Sequence, residues 1–241
     1  MSVNLNAAQL GYQALNDAVR ANTGDIEINE CFGERFIAAS ATADKTITIH
    51  GTPGNALGCY MDGARITVNG NAQDAVGDTM NDGEIVVHGR AGDALGYAMR
   101  GGVIYVKGDS GYRTGIHMKQ YLDKRPVIVV GGRTGSFLGE YMAGGLLIVL
   151  CLNSDSADVG GFTGTGMHGG LMFIRSSTPP QDVPAQVTCR RAEPSDIAGI
   201  AQYLQRYAHL FGVDANALLG DTYWLLEANT SNPYTQMYTN N

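Results

Sequence analysis

Short apolar runs recur through the middle of the chain, and each is too short to form a helix. Runs such as Ile66-Thr67-Val68, Ile85-Val86-Val87 and Ile104-Tyr105-Val106 are rich in β-branched residues, which is typical of strands. Alternate side chains of a strand point to opposite faces, so every second residue belongs to one inward stripe. That stripe comprises Ile47/Ile49, Ile66/Val68, Ile85/Val87, Ile104/Val106, Ile128/Val130, Leu147/Val149 and Met172/Ile174. The pattern predicts seven strands with a shared buried face.

A methionine column repeats with these strands. Its members are Met61, Met80, Met99, Met118, Met142 and Met167, at spacings of 19, 19, 19, 24 and 25, and each follows a glycine by three residues. The two longer spacings contain interruptions at 119–126 and 153–158. A fixed period with glycine at constant offsets indicates a repeat architecture, with glycine at corners that need positive φ or close backbone approach. We therefore predict a parallel β-solenoid over residues 46–175, with seven coils in a rod ~30 Å long and the methionines packed in its core.

The outward-facing residues change character along the predicted rod. The first coils present polar residues such as Thr48 and Thr67, whereas later coils present an apolar set. That set is Val103, Tyr105, Val127, Val129, Leu146, Ile148 and Leu150. A solvated face should stay polar, so this patch should be covered. Residues 195–211 carry a helical apolar stripe and, at 1.5 Å per residue, would span ~25 Å. We predict that this helix docks on the patch and caps the end of the rod.

The segments outside the repeat divide the chain into three parts. Residues 1–45 should hold a helix over 6–22, which could cover the open end of the solenoid, and an irregular first coil over 24–40. Residues 46–175 form the solenoid. Residues 176–241 comprise a proline-rich linker (176–184), the helix 195–211, a short helix over 215–219 and an extended polar arm (230–241) that would pack on a neighbour.

Composition narrows the class of protein. The chain has 241 residues and a net charge of −7, with no basic stripe, which argues against nucleic acid as the main partner. Cys31, Cys59, Cys151 and Cys189 stand apart without metal-ligand spacing, so we expect reduced thiols and a cytoplasmic protein. The start of the chain resembles neither a signal peptide nor a membrane span.

Two segments resemble functional motifs of other protein classes, one a dinucleotide-binding loop and the other a serine nucleophile. Gly164 to Gly169 matches G-x-G-x-x-G, but a strand and not a helix should follow it, and the motif keeps register with the other corners. The segment from Gly108 to Gly111 resembles a serine nucleophile stretch, and His88 or His117 would be near enough in the solenoid to contact Ser110. We interpret both segments as corners of the repeat.

The histidines and acidic residues show no clear site. His50 and His88 would lie two coils apart, ~9.6 Å, which is too far to share a metal without an intervening ligand. Acidic residues cluster near the corners: Asp62, Asp74, Asp78, Asp82 and Asp93. We favour hydrogen bonds to backbone amides over cation binding, because Asp and Asn suit such turns. The sequence thus predicts no catalytic, cofactor-binding or metal-binding residues.

Several ordered motifs resemble a known family. Gly33-Glu34-Arg35-Phe36, the segments 51–55 and 139–145, and Gly164 to Gly170 are similar to the Gly-x-Gly-x-Gly β-helix domain. That domain closes the large subunit of glutamate synthase and also forms one of the subunits of formylmethanofuran dehydrogenase. The resemblance covers roughly residues 10–240. It implies a mainly β protein: a right-handed, single-stranded parallel β-helix of about seven coils with an N-terminal helix and a small helical C-terminal tail.

The resemblance also implies a function. This chain looks most like a stand-alone version of the glutamate synthase domain, hence a non-catalytic scaffold subunit of an oxidoreductase. Separate partner chains would be a glutamine amidotransferase and a synthase subunit holding FMN and iron–sulfur clusters. Those partners would catalyse glutamine-dependent reductive amination of 2-oxoglutarate, and this chain would carry no cofactor.

Alternatives stay open at this stage. One is the equivalent β-helix subunit of a formylmethanofuran dehydrogenase-like one-carbon complex, against which the predicted C-terminal helices weigh. Another, of a different class, is a solenoid acyltransferase or hydrolase acting alone, although the hexapeptide repeat of such acyltransferases is lacking. Methylamine-linked glutamate chemistry is also compatible with the sequence.

Overall fold

The computed structural model describes residues 2–229 and is mainly β, with eleven strands in one mostly parallel sheet. The elements in chain order are β1 (Val3–Asn6), α1 (Ala7–Ala21), β2 (Gly24–Phe32), β3 (Lys45–Thr52), β4 (Asp62–Asn69), β5 (Asp82–Val87), β6 (Val103–Val106), β7 (Val127–Val130), β8 (Ala143–Val149), β9 (Gly169–Arg175), β10 (Val187–Arg191), α2 (Pro194–Phe211), α3 (Ala215–Gly220) and β11 (Tyr223–Ala228). No described helix is both long and apolar enough to cross a membrane. The predicted polar arm, 230–241, lies outside the described residues.

Strands β1 to β9 pair in sequence order, each parallel to the next. Ile66 pairs with Ile85, and Ile85 pairs with Ile104, which confirms the predicted register. The same column continues through Ile128 and Leu147. The inward stripe therefore stacks residue on equivalent residue along the sheet.

The loops between the strands stack as regularly as the strands do. The amide of Gly77 donates to the carbonyl of Leu57 at 2.8 Å, and Gly96 repeats this bond to Val76 at 2.8 Å. Both glycines have positive φ, 68° and 67°. A Cβ on Gly96 would lie only 2.3 Å from Cδ1 of Ile128, so this corner needs glycine for conformation and for space. The glycine period thus reflects how closely each corner approaches the core.

The inner core lies between the strands and these loops. It contains the inward stripe and the whole methionine column, whose members are fully buried. Met61 illustrates the local geometry, because its amide closes the turn by donating to the carbonyl of Gly58 at 3.1 Å. The prediction that the methionines serve core packing is confirmed.

A second core covers the outer face of the later strands. Val127, Val129 and Ile148 pack with Leu204 and Tyr207 of α2 in one buried cluster. The Tyr207 hydroxyl donates to the carbonyl of Lys107 at 3.0 Å, which fixes the helix on the sheet. The prediction that the helix 195–211 covers this face is confirmed.

Three strands at the ends of the sheet, β1, β10 and β11, were not predicted from the sequence. β11 pairs antiparallel with β9, and β10 pairs antiparallel with β11, so strands continue the sheet at the C-terminal end while α2 lies on its face. At the other end β1 pairs with β2, and Leu15 and Val19 of α1 join the inner core. The predicted N-terminal helix is present, and the Asn6 side chain caps it by accepting from the Gln9 amide at 3.0 Å.

Candidate functional site

One side of the repeat consists of loops, and we call it the loop face. It is formed by the six-residue segments 55–60, 74–79, 93–98, 112–117, 136–141 and 161–166, each of which ends just before a column methionine. The second residue of each segment is left-handed, from Ala56 at φ 63° to Phe162 at φ 62°. This conformation turns those side chains to the outside of the corner. The loop face is therefore a ladder of equivalent, outward-pointing positions.

Asn and Asp side chains hold neighbouring loops together. Oδ1 of Asp74 accepts from the amide of Asp93 at 2.9 Å, and Oδ1 of Asp93 accepts from the amide of Tyr112 at 2.8 Å. Asn55 does the same for Asp74 at 3.3 Å. These bonds confirm the backbone-amide role favoured for Asp74 and Asp93. Within residues 2–229, no group of three or more His, Cys, Asp and Glu side chains is placed to hold a metal ion.

Aromatic rings occupy the last four segments of the loop face, from Tyr97 to Phe162. His117 stacks on Tyr141, with ring centroids 5.2 Å apart, and meets the edge of Tyr97 at 5.8 Å. Phe137 stacks on Phe162 at 4.9 Å. These rings form a surface of regularly spaced aromatic side chains across four loops.

Arg113 extends that aromatic surface with a charge. Its guanidinium lies 4.7 Å from the centroid of the Phe137 ring and pairs with Glu140 at 3.0 Å. The Arg113 side chain is 49 % exposed, whereas that of Glu140 is 11 % exposed. The surface therefore presents the cation and conceals the anion.

A polar groove of about 460 Å³ adjoins the loop face. In it, Asp109 lies between Arg90 and Arg133, with N–O distances of 3.5 and 3.9 Å. The Ser110 hydroxyl in the same groove is buried and bonded to the Thr114 hydroxyl at 2.8 Å. That bond joins two side chains of the same corner and involves no histidine. This is expected if Ser110 belongs to a structural turn.

The histidines lie in separate surroundings. His50 contacts Glu27 at 3.0 Å, while His88 packs edge-on against Phe211 of α2 at 5.3 Å. Partial burial and the nearby Lys107 lower the pKa of His88. Neither His88 nor His117 hydrogen-bonds Ser110, whose partner is Thr114.

The remaining motifs also fit the repeat. Gly169 begins strand β9, so the G-x-G-x-x-G match leads into a strand, as expected for a corner. Burial raises the pKa of the Cys31 thiol to about 12, with a further contribution from Glu34, which makes it a poor nucleophile.

The interruption at 119–126 contacts the first residues of strands β4 and β5. Nζ of Lys124 lies 3.3 Å from Asp62 and 3.0 Å from Asp82, which explains two of the corner acids. The pKa of Lys124 is raised by these two carboxylates, mainly Asp82. Leu122 at the tip of this turn is 79 % exposed.

Sequence reasoning did not single out the aromatic part of the loop face. The signal was present in the offset from methionine: the position five residues before it is alanine in 56, 75 and 94, but Arg113, Phe137 and Phe162 later. Recognising this change requires knowing that the left-handed backbone points these side chains outward.

The chain is similar to known proteins over nearly its whole length. A family model described as the GXGXG motif matches residues 13–227. The chain is also 38 % identical over 249 residues to an uncharacterized protein of Methanocaldococcus jannaschii, covering 98 % of this chain and 95 % of that protein. The similarity includes the segments before and after the repeat as well as the repeat itself. We conclude that the chain belongs to the GXGXG motif family.

Proposed function

We propose that this protein is a non-catalytic, cytoplasmic structural subunit of a glutamate-synthase-like complex. The observation that carries the proposal is the extent of the family match, because residues 13–227 are nearly the whole chain. A domain of this kind corresponds to the piece that closes the large subunit of glutamate synthase. It would hold a glutamine amidotransferase and an FMN/iron–sulfur synthase chain in register while those partners perform the amination of 2-oxoglutarate.

We also propose the finer architecture that the family resemblance implies, a right-handed parallel β-helix of about seven coils. Seven consecutive parallel strands, β3 to β9, and the loop-to-loop hydrogen bonds support it. A rod of this kind suits a scaffold, since regular stacking gives a stiff body with long lateral surfaces.

The chemistry of the described residues supports a role without catalysis by this chain. Ser110 is engaged by Thr114, and Cys31 and Cys151 have pKa values raised by burial. A catalytic nucleophile instead needs a lowered pKa or a neighbouring base that accepts its proton. As the family resemblance implies, we assign the FMN and iron–sulfur clusters to partner subunits.

The test is to isolate the complex from its native source with an affinity tag on this chain. Native mass spectrometry should show stoichiometric amidotransferase-type and synthase-type chains, and the preparation should show flavin absorbance and glutamine-dependent glutamate formation. A tungsten or molybdenum complex would instead favour the one-carbon alternative. Hydrolase or acyltransferase activity in the purified, uncomplexed chain would contradict the scaffold proposal.

A further inference from the structure

The first three and the last three segments of the loop face differ in charge and in aromatic content. Its first three segments, 55–60, 74–79 and 93–98, contain Asp74, Asp78 and Asp93 and no lysine or arginine. Its last three segments contain the stacked aromatic rings and Arg113. Each half spans three loops, so the two halves have equal length along the rod, ~10–15 Å at one strand spacing per loop.

The halves also differ in shape. In the left-handed column five residues before each methionine, the first three side chains are Ala56, Ala75 and Ala94. The next three are Arg113, Phe137 and Phe162, which stand out from the surface in a continuous stack. In this column small side chains in one half thus match large side chains in the other, while Tyr60 and Tyr97 in other columns of the first half are also exposed.

Exposure shows that the protruding half is uncovered in the described part of the chain. Phe162 is 62 % exposed and Tyr112 is 53 % exposed. Contiguous exposed aromatic side chains with an arginine are the composition of a protein interface core. On the outer strand face, by contrast, the comparable apolar patch is buried under α2.

We propose that the loop face is the interface of a homodimer in which two copies lie antiparallel. A two-fold axis between the third and fourth loops places Phe162 of one copy opposite Ala56 of the other, and Phe137 opposite Ala75. It also places Arg113 opposite the loop that carries Asp93. A two-fold interface pairs a surface with itself, and in the antiparallel arrangement the left-handed column is self-complementary in shape and Arg113 faces the loop that carries Asp93. This inference concerns the isolated chain and does not depend on the proposed function.

The direct test is sedimentation velocity and light scattering of the purified full chain. We expect a concentration-dependent dimer that weakens as salt is raised, because the charge contacts lie near solvent. Phe162→Ser should raise the dimer dissociation constant by about a hundredfold or more, as loss of an interface anchor does. A wild-type chain that stays monomeric across the accessible concentration range would overturn the proposal.

Matched variants separate docking from folding. Leu122→Ser removes an even more exposed apolar side chain away from the loop face, so its dimer should be as tight as wild type. Asp74→Asn with Asp93→Asn keeps the Oδ1 acceptors that bond the next loop, as Asn55 does naturally, while removing both charges. That double variant should retain the wild-type melting temperature, weaken the dimer by about tenfold and lose most of its salt dependence. Equal effects of Phe162→Ser and Leu122→Ser would contradict a role for the loop face.

Orientation has its own test. A side chain at Gly161 would meet open space, so Gly161→Cys should fold normally. In the antiparallel dimer the two copies of this position lie at opposite ends of the interface, ~24 Å apart along the rod, and should not form a disulfide. Efficient disulfide formation between two G161C chains would show a parallel arrangement and overturn the proposed symmetry.

Discussion

Arg206 of α2 and Glu84 of β5 form a two-point ion pair between residues 122 positions apart in the sequence. Nη2 of Arg206 lies 2.6 Å from Oε1 of Glu84, and Nε lies 3.2 Å from Oε2. Glu84 stands in register between Arg65 and Val103, where the outer face of the sheet changes from polar to apolar. The pair therefore marks the edge of the surface that α2 covers.

This ion pair should contribute little to stability by itself. The Arg206 and Glu84 side chains are 43 % and 25 % exposed, so water screens their attraction. In a double-mutant cycle with Arg206→Met and Glu84→Gln, we expect a coupling energy of about 1 kcal/mol or less in urea unfolding. A coupling of several kcal/mol would show that the pair is desolvated and holds α2 in place.

Apolar contacts should instead hold α2. Leu204 is fully buried in the outer cluster, so Leu204→Ala should lower the free energy of unfolding by about 2–5 kcal/mol. Hydrogen exchange in β7 and β8 should accelerate if the helix detaches locally. The neighbouring exposed Gln205 supplies the control, and Gln205→Ala should leave both measurements near wild type.

The register of the inward stripe can be tested with one pair of substitutions. Ile85→Asp would put a carboxylate into the inner core at a fully buried position, at a cost of several kcal/mol or more. We expect an insoluble protein or loss of the cooperative thermal transition. Thr67→Asp, on the opposite side of the adjacent strand, should change the melting temperature little. If the protein tolerated both substitutions equally well, Ile85 would not face the inner core and the predicted register would be wrong.

The repeat was predictable because its signals are local and recur. Glycine three residues before methionine and alternating apolar residues indicated the strand order, the register of Ile66, Ile85 and Ile104, and the inner face. The docking of α2 also followed from complementary apolar patterns. Within the repeat, several copies of one motif indicated the same environment.

The features that the sequence did not predict depend on contacts that occur only once and join distant parts of the chain. β11 is locally a short apolar run, and its pairing with β9, in which Tyr223 lies opposite Arg175, has no repeated signature in the sequence. The aromatic half of the loop face was missed because Phe137 and Phe162 resemble core residues in sequence. Phe162 is exposed and Phe137 half-buried, and both have left-handed backbone angles, which a non-glycine residue seldom adopts.

His88 should make the stability of the protein depend on pH. Its pKa is lowered from the usual 6.5, because partial burial against Phe211 and the charge of Lys107 disfavour the protonated form. The unfolded chain therefore binds a proton more readily, so the contribution of His88 to stability is present above pH 6.5 and is lost as the pH falls below that value. We expect His88→Gln to flatten the decline in melting temperature between about pH 7 and pH 5.

Thr163 has a hydroxyl that is buried without a hydrogen-bond partner among residues 2–229. The residue occupies a column that is otherwise mostly apolar, four positions before each methionine: Leu57, Val76, Leu95, Thr114, Leu138 and Thr163. Valine has nearly the shape of threonine, so Thr163→Val removes an unsatisfied polar group without opening a cavity. The substitution should be neutral or raise the free energy of unfolding by about 1–3 kcal/mol, measured by urea unfolding.

Thr114→Val is the matched control in the same column, since the Thr114 hydroxyl bonds to the Ser110 hydroxyl at 2.8 Å. Removing it leaves the buried Ser110 hydroxyl without that partner, so the free energy of unfolding should fall by about 1–3 kcal/mol. The same substitution, threonine to valine, thus acts in opposite directions at two equivalent corners, because only one of the hydroxyls is paired. A Thr163→Val variant that is destabilised as much as Thr114→Val would mean that a buried water satisfies the Thr163 hydroxyl.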